Sequence, residues 1–455
     1  MKILLIQPAK SAKALGGEDF SVFEPLALEY LAAGVAPDHD VRILDLRLEP
    51  DLDAVLRDFQ PQVAGLTSYT VHVNTVKRLC QQIKAHNPET VTLVGGHHAT
   101  VLPGDFATPF IDVIIAGEGV LPFREVIRRL EKHPILSGMP GAAPLENGTV
   151  LLRQADQGLD LDALPMPRRD LTAAYRKSYF SEWMRPLASI RTSKGCHFRC
   201  QFCALWKLTG GRYLTRKPEL IVEELGTIQE PYVFFADDES LLDTRRMAAL
   251  ANLIQQAGTK KRYFLYGRSD TIVKHPELLE QWQKIGLERI FVGLEFMRDA
   301  DLKLIRKGST VENNVKALQI LKGLNLDIWP MFMVRPEFER RDFAALRQCC
   351  LDLNLSFIGF SVLTPLPGTD LYDEVRDRLI TADYDYFDFF HTLLPTTLPL
   401  QDFYQELADL FKRSRSLKNQ IRLMRKYRLR ELPSLFKAYG ALLRRLRTLA
   451  QDFAV

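Results

Sequence analysis

No run of about eighteen apolar residues occurs in this chain, so no segment is expected to cross a membrane as a helix. The opening Met1-Lys-Ile-Leu-Leu-Ile-Gln-Pro8 has too short an apolar core and no cleavage site for a secretory signal. Six cysteines in 455 residues are too few for a disulfide framework, which points to a reducing cytosol. No convincing acid/base dyad is visible. Neither sign of charge dominates, with 60 basic and 56 acidic residues. What remains is ordinary globular composition, 46% apolar and 25% charged. The length suggests about two to four domains.

Three of the cysteines fall together, in Gly195-Cys196-His-Phe-Arg-Cys200-Gln-Phe-Cys203, a Cys-x3-Cys-x2-Cys spacing. Three thiolates on one short loop can hold three irons of a [4Fe–4S] cluster and leave the fourth open for a small molecule. Zinc is the competing reading, but structural zinc sites use four ligands in paired units. His197, the only near fourth ligand, would share a very tight loop. The spacing resembles the signature of radical S-adenosylmethionine (SAM) enzymes. In that family the open iron chelates SAM, and reduction cleaves it to methionine and a 5′-deoxyadenosyl radical. The resemblance implies catalytic and metal-binding roles for Cys196, Cys200 and Cys203. It also implies an electron donor of flavodoxin or ferredoxin type.

Residues 1–140 read as an α/β domain. Apolar runs at Lys2–Gln7, Val41–Leu46, Val63–Ser68, Val91–Gly95 and Val113–Gly117 alternate with amphipathic stretches near 24–35, 51–59, 72–87 and 120–132. That alternation predicts a doubly wound parallel sheet, whose ligands bind at the carboxyl ends of the strands. Ser68, then Gly95, Gly96, His98, Thr100 and Pro103, then Gly117, Glu118 and Gly119 fall there. Together they resemble the cobalamin-binding domain that often precedes a radical SAM domain. The Asp-x-His-x-x-Gly motif that supplies a histidine to cobalt in some cobalamin proteins is absent. The resemblance therefore implies cobalamin held without that ligand, with His72, His97 and His98 nearby.

Residues 141–186, rich in proline, read as a linker. From 187 to 375 a second series begins, with strands at 188–193, 232–237, 263–268, 288–295, 327–334 and 356–363. Helices fall near 218–229, 244–257, 276–285, 311–324 and 341–353. Six units are too few for a closed eight-fold barrel and match the partial (β/α)6 barrel of radical SAM enzymes. In that family a Gly-Gly-Glu string after the second strand receives the SAM ammonium. Here the position reads Ala236-Asp-Asp-Glu-Ser240, which makes Asp237 and Asp238 the candidates. Arg268 is a candidate partner for the SAM carboxylate, because its planar fork suits that group. Glu295 is a candidate for the ribose or amino group, and Phe202 for the adenine. Rim charges of this kind also serve as plain salt bridges.

The resemblance implies a cobalamin-dependent methyltransferase. One SAM methylates cobalamin, a second provides the radical, and a substrate radical takes the methyl of methylcobalamin. Three alternatives stay open: a radical cyclase or rearrangement enzyme using cobalamin as electron carrier, a tRNA-modifying enzyme, and a non-catalytic cobalamin sensor.

Residues 376–455 differ in charge from the body. Positions 411–455 carry thirteen Lys or Arg against two acids. Leu435, Phe436, Tyr439, Leu442, Leu443, Leu446, Leu449 and Phe453 recur at three- and four-residue steps, flanked by Lys437, Arg444, Arg445 and Arg447. This is a basic amphipathic helix, suited to the surface of an anionic membrane or to packing on the body. No RNA-binding module accompanies it, so nucleic acid is not the expected partner. Phe390-His-Thr-Leu-Leu-Pro-Thr-Thr-Leu-Pro-Leu400 with Phe403-Tyr404 is similar to bacterial hopanoid C-3 methylases. That resemblance implies a lipid-like substrate and hopanoid biosynthesis, while the cysteines and the basic helix point to a cytoplasmic protein peripheral on the inner face of the membrane.

Overall fold

The computed structural model describes residues 1–35, 37, 39–132, 141–146, 149–150 and 160–453. Lys2–Gln7 (β1) is a continuous apolar run buried on both faces, as a central parallel strand must be. It pairs in parallel with Asp40–Asp45 (β2) on one side and Val63–Thr67 (β3) on the other. Val91–Gly95 (β4) and Val113–Ile115 (β5) follow, giving the parallel order β2-β1-β3-β4-β5. The order reverses between β1 and β3, and there a doubly wound sheet opens its binding crevice. Leu26–Val35 (α1), Leu52–Phe59 (α2), Val73–His86 (α3) and Val120–Lys132 (α4) cover its faces. Each face has its own apolar core.

The described residues of the proline-rich connector form more regular structure than its composition suggests. Ala142–Glu146 (β6) and Thr149–Val150 (β7) extend the first sheet with antiparallel strands. Arg169–Ser178 forms a 3-10 ladder clamped by buried ion pairs. Arg169 donates to Glu224 and to the Ser189 carbonyl, both at 2.7 Å. Arg176 pairs with Glu24 and Glu230. These contacts join the first domain to the second through the connector. Pro144 pairs with Val113 of β5, and only Leu145 and Glu146 of its strand pair with β7.

The second sheet is Leu187–Ile190 (β8), Tyr232–Phe235 (β9), Arg262–Gly267 (β10), Leu287–Glu295 (β11), Asp327–Val334 (β12) and Gly359–Val362 (β13). All six are parallel and adjacent in sequence order. The result is the open half-barrel that the spacing predicts. Pro218–Thr227 (α5), Thr244–Gln256 (α6), Pro276–Lys284 (α7), Val311–Gly323 (α8) and Arg340–Asp352 (α9) supply the crossovers. Side chains alternate along the strands. Val233, Phe235, Tyr263, Leu265, Ile290 and Val292 join the core beneath the helices. Phe234, Phe264, Tyr266, Phe291 and Trp329 form a separate aromatic cluster on the opposite face, inside the half-barrel.

The segment after the barrel straps the two domains together. Asp383 accepts from Asn74 (2.7 Å) and Lys13 (2.8 Å), and Tyr384 donates to Asp105 (2.6 Å). His391, fully buried, bridges Asp388 (2.8 Å) and Asp452 (2.9 Å). Asp388 also accepts from the Leu15 amide at 2.6 Å. The aromatic stretch around Phe390 therefore ties the chain's last turn to the loop after β1.

Leu400–Arg413 (α10), Leu417–Met424 (α11) and Leu432–Thr448 (α12) close the chain. The amphipathic stripe of α12 is largely occupied. Leu446 and Leu449 are fully buried, and Leu442, Leu443 and Phe453 pack on the barrel core. The membrane-facing expectation is thus corrected for Leu442 onward, whereas Phe436 stays 57% exposed. Among the described residues no helix is long and apolar enough to cross a membrane.

Candidate functional site

The carboxyl ends of both sheets face a common cavity of about 540 Å³. Its first-domain wall contains Gly95, Gly96, Thr100, Gly117, Glu118 and Gly119, six of the residues predicted from sequence. Gly96 has φ +101, and a Cβ there would stand 2.8 Å from the Ser68 backbone. Only glycine permits that close approach of β3 and β4. Gly117 has φ +83 with open space beside it. Thr100 fixes both turns: its hydroxyl donates to the Gly96 carbonyl (2.8 Å) and accepts from the Gly117 amide (2.9 Å). Glu118 bonds Lys194 (2.9 Å) and Arg191 (3.2 Å) across the domain boundary.

Two predicted residues lie behind this wall. Ser68 is buried and its hydroxyl donates to the Tyr69 carbonyl. His98 is fully buried, held by Thr70 (3.1 Å) and Asp105 (2.8 Å). The cavity is lined instead by His72, His97 and Tyr69. Tyr69 projects into it, 53% exposed, with its ring 5.1 Å from that of His97. Burial and the nearby Arg47 guanidinium push the His72 imidazole down to about 4, and its Nδ1 has no hydrogen-bond partner among the described residues. It is therefore neutral at physiological pH, with an unpaired ring nitrogen at the cavity wall. Tyr69 carries no signal in the sequence beyond following Ser68 at a strand end.

On the barrel side the cysteine loop follows β8. Gly195 has φ +91, and a Cβ would collide with the Arg212 carbonyl oxygen and the Thr209 hydroxyl. Asp237 accepts from the Thr192 amide (2.7 Å), the Thr192 hydroxyl (2.6 Å) and the Ser193 amide (2.8 Å). All of its bonding is spent on holding that loop. Asp238 accepts from the Gly195 amide at 2.6 Å and also lines the cavity. Burial raises the Cys196 thiol to about 11 and the Cys203 thiol to about 12. Buried thiols of this kind ionise only when a cation replaces the proton, which is the chemistry of metal ligands.

Arg268 sits against that loop rather than at the open rim. Its Nη1 is 4.0 Å from the Cys200 sulfur, and its guanidinium lies 3.5 Å from the centre of the Phe198 ring. It also donates to Asp270 (2.9 Å) and to the Lys307 carbonyl (2.6 Å). Glu295 pairs with buried Lys307 at 2.7 Å. It occupies a bulge of β11 with φ +61, where it re-aims its side chain. Phe202 packs, half-buried, on the barrel core. Glu239, missed from sequence, is buried beside this group, and burial raises its carboxyl to about 7. It is the third acid of the Asp-Asp-Glu string, so its position was readable.

These residues fit the cofactors. One buried thiol, Cys200, and two half-buried ones, Cys196 and Cys203, with the buried cations Arg268 and Lys307 nearby, suit an anionic iron–sulfur cluster. A glycine-walled cavity with neutral ring nitrogens suits a large macrocycle. The cavity is continuous from that cradle to Ser193, Lys194 and Asp238 beside the cysteine loop and to Phe234 and Tyr266 of the lumen.

Comparison with known proteins agrees. A model described as B12 binding domain matches residues 12–127, and one described as radical SAM superfamily matches 190–350. Hopanoid C-3 methylase of Methylococcus capsulatus is 31% identical over 415 residues, 90% of this chain and 79% of that protein. The cobalamin-dependent SAM radical enzyme OxsB, solved with aqua-cobalamin and SAM, superposes with TM-score 0.71 at 17% identity, covering 93% of this chain and 70% of that one. The radical SAM methyltransferase TsrM of Kitasatospora setae, solved with cobalamin and a [4Fe–4S] cluster, gives 0.68 at 18% identity, covering 87% and 82%.

Proposed function

The chain belongs to the cobalamin-dependent radical SAM family, and from that premise we propose that it methylates an unactivated carbon of an apolar, lipid-like substrate, with C-3 of a hopanoid the favoured target. The observation that carries this reading is the single cavity that touches the cobalamin cradle, the residues on either side of the cysteine loop (Lys194 and Leu205) and Phe234 and Tyr266 of the aromatic lumen. A methyl donor, a radical source and a substrate carbon must converge there if one is to react with the others.

When bound, the cluster with SAM supplies a radical able to take hydrogen from an unactivated C–H bond, and cobalamin supplies the methyl group. The protein positions and shields. In this reading residues 1–140 cradle cobalamin through Gly95, Gly96, Thr100, Gly117, Glu118 and Gly119. Ser68 and His98 brace that wall from behind. Residues 187–375 hold the cluster through Cys196, Cys200 and Cys203. Asp237 fixes the loop, and Arg268 with Lys307 offsets thiolate charge. Asp238, Glu239 and Glu295 would offer carboxylates to SAM, and Phe202 would pack on its adenine. The connector at 141–186 and the helical region at 376–455 clamp the two domains around the cavity.

The lumen supports an apolar substrate. Ring centres of Phe234 and Phe264 stand 4.9 Å apart, those of Tyr266 and Phe291 4.8 Å, and those of Phe291 and Trp329 5.5 Å. Such a wall excludes water and gives a flat hydrocarbon skeleton extended contact. The identity to hopanoid C-3 methylase supports the same class. The reading includes a flavodoxin- or ferredoxin-type donor, supported by exposed Arg199 in the cysteine loop and exposed Lys303 and Arg306 next to it. These cations suit an acidic redox partner. It also includes peripheral attachment to a membrane, where a lipid substrate resides.

Removing part of the lumen wall tests the substrate site. Tyr266→Ala, which removes a ring that lines the cavity, is expected to lower methylated product at least about tenfold while 5′-deoxyadenosine still forms, because lost contacts misplace the substrate and not SAM. Equal loss of both products would place Tyr266 in the support of the cluster instead.

A further inference from the structure

α11 presents two faces. Toward the body, the Asn419 amide donates to Asn354 Oδ1 (2.8 Å) and to the Leu355 carbonyl (3.0 Å). Leu423, one turn on, lines a small cavity at the amino end of β12. Tyr427 continues that line and bonds Glu182. On the other face, Leu417 is 71% exposed and Ile421 40% exposed, one turn apart. Leu429, in the turn to α12, is 85% exposed, and Phe436 extends the series. Monomeric proteins seldom leave several large apolar side chains this open within twenty residues.

The charges around them are of one sign. Lys418, Arg422, Arg425, Lys426, Arg428, Arg430 and Lys437 are all exposed, against one acid, Glu431, in residues 417–437. Among the described residues only Lys426 of the seven makes a salt bridge, with Asp327 at 2.6 Å. At 100° per residue, Lys418 and Arg425 flank the Leu417–Ile421 stripe, which lies opposite Asn419 and Leu423, and Arg422 falls between the two faces. This layout places cations at headgroup level when the stripe is immersed.

We propose that this surface, from α11 through the second turn of α12, docks on an anionic phospholipid bilayer. Leu417, Ile421, Leu429 and Phe436 enter the acyl boundary, and the seven cations hold the phosphates. An acidic protein or a nucleic acid would satisfy the cations, and nucleic acid offers no apolar phase for the four side chains. A bilayer supplies both within one interface. The surface lies at the amino end of the barrel strands, away from the cofactor cavity, so docking leaves that cavity free. Beneath it, ring contacts run inward from Trp183 to Phe357 (6.0 Å), Trp329 (5.0 Å), Phe291 (5.5 Å) and Tyr266 (4.8 Å). The docked face therefore adjoins the aromatic lining of the lumen. The proposal rests on exposure and charge at 417–437 and stands independently of which carbon is methylated.

Co-sedimentation of the full-length, cofactor-loaded protein with vesicles tests it. Binding is expected to mixed phosphatidylglycerol/phosphatidylcholine vesicles and not to phosphatidylcholine alone, and to weaken as salt is added. Leu429→Asp with Phe436→Asp should lower the bound fraction about tenfold or more, since buried apolar area drives insertion. SAM cleavage should be unchanged in that variant, which shows that it folds. Arg422→Gln with Arg425→Gln should weaken binding and flatten its salt dependence. Equal binding to neutral vesicles, undiminished binding of the aspartate variant, or RNA binding without vesicle binding overturns the proposal. Loss of vesicle binding with methylation of a dispersed substrate retained separates this surface from the catalytic reading.

Discussion

Cys200→Ala should reduce 5′-deoxyadenosine formation to background and remove the protein's iron. The sulfur is buried beneath the Arg268 guanidinium, and the loop around it is held by contacts that do not use the thiol. The Cys200 carbonyl accepts from the Trp206 indole (3.2 Å), the Gln201 amide donates to the Ile305 carbonyl (3.0 Å), and Asp237 grips the preceding strand end. Alanine keeps the backbone and the Cβ, so the fold should survive while one of three cluster ligands is lost. Cobalamin content should stay near one per chain, because its cradle belongs to the other sheet. Undiminished SAM cleavage in the Cys200→Ala protein would remove the basis for radical chemistry.

Gly117→Val should have the opposite selectivity. Valine at φ +83 is strained by roughly 1–3 kcal/mol, and its branches would enter the space that the glycine leaves open. The same turn donates an N–H to Thr100, which in turn holds Gly96. Strain and filling together should cut retained cobalamin at least about tenfold, with iron content and SAM cleavage little changed. Methylated product should fall with the cobalamin. Wild-type cobalamin retention in this variant would move the ligand away from the carboxyl end of β4 and β5.

Most of the framework was legible because its elements are locally determined. Apolar runs buried on both faces, such as Lys2–Gln7, read as central strands, and their limits follow from residue type to within about three positions. The cysteine spacing was equally direct, since it depends on three residues of one loop. Contacts made between distant segments were not legible. Asp237 looks like a ligand contact in sequence but spends its oxygens on Thr192 and Ser193. Arg268 looks like an open carboxylate partner but lies against Phe198. His98 fits the motif but faces Asp105 and Tyr384, whereas Tyr69, without a motif, enters the cavity. The stripe of α12 has the period of a membrane-surface helix, and α10 and the barrel core were the partners that periodicity could not reveal. Local pattern determines which residues share a face, and only the assembled fold determines what that face meets.

The central claim is carbon methylation of an apolar substrate, and isotope tracing tests it most directly. Lipid extract from a host lacking the gene is incubated anaerobically with the cobalamin- and cluster-loaded protein, a reductant and SAM labelled in its methyl group. The account predicts an apolar product carrying the intact labelled methyl, with one 5′-deoxyadenosine formed for each methyl transferred. Formation of 5′-deoxyadenosine with an altered but unlabelled product, or with none that gains a methyl group, would contradict it.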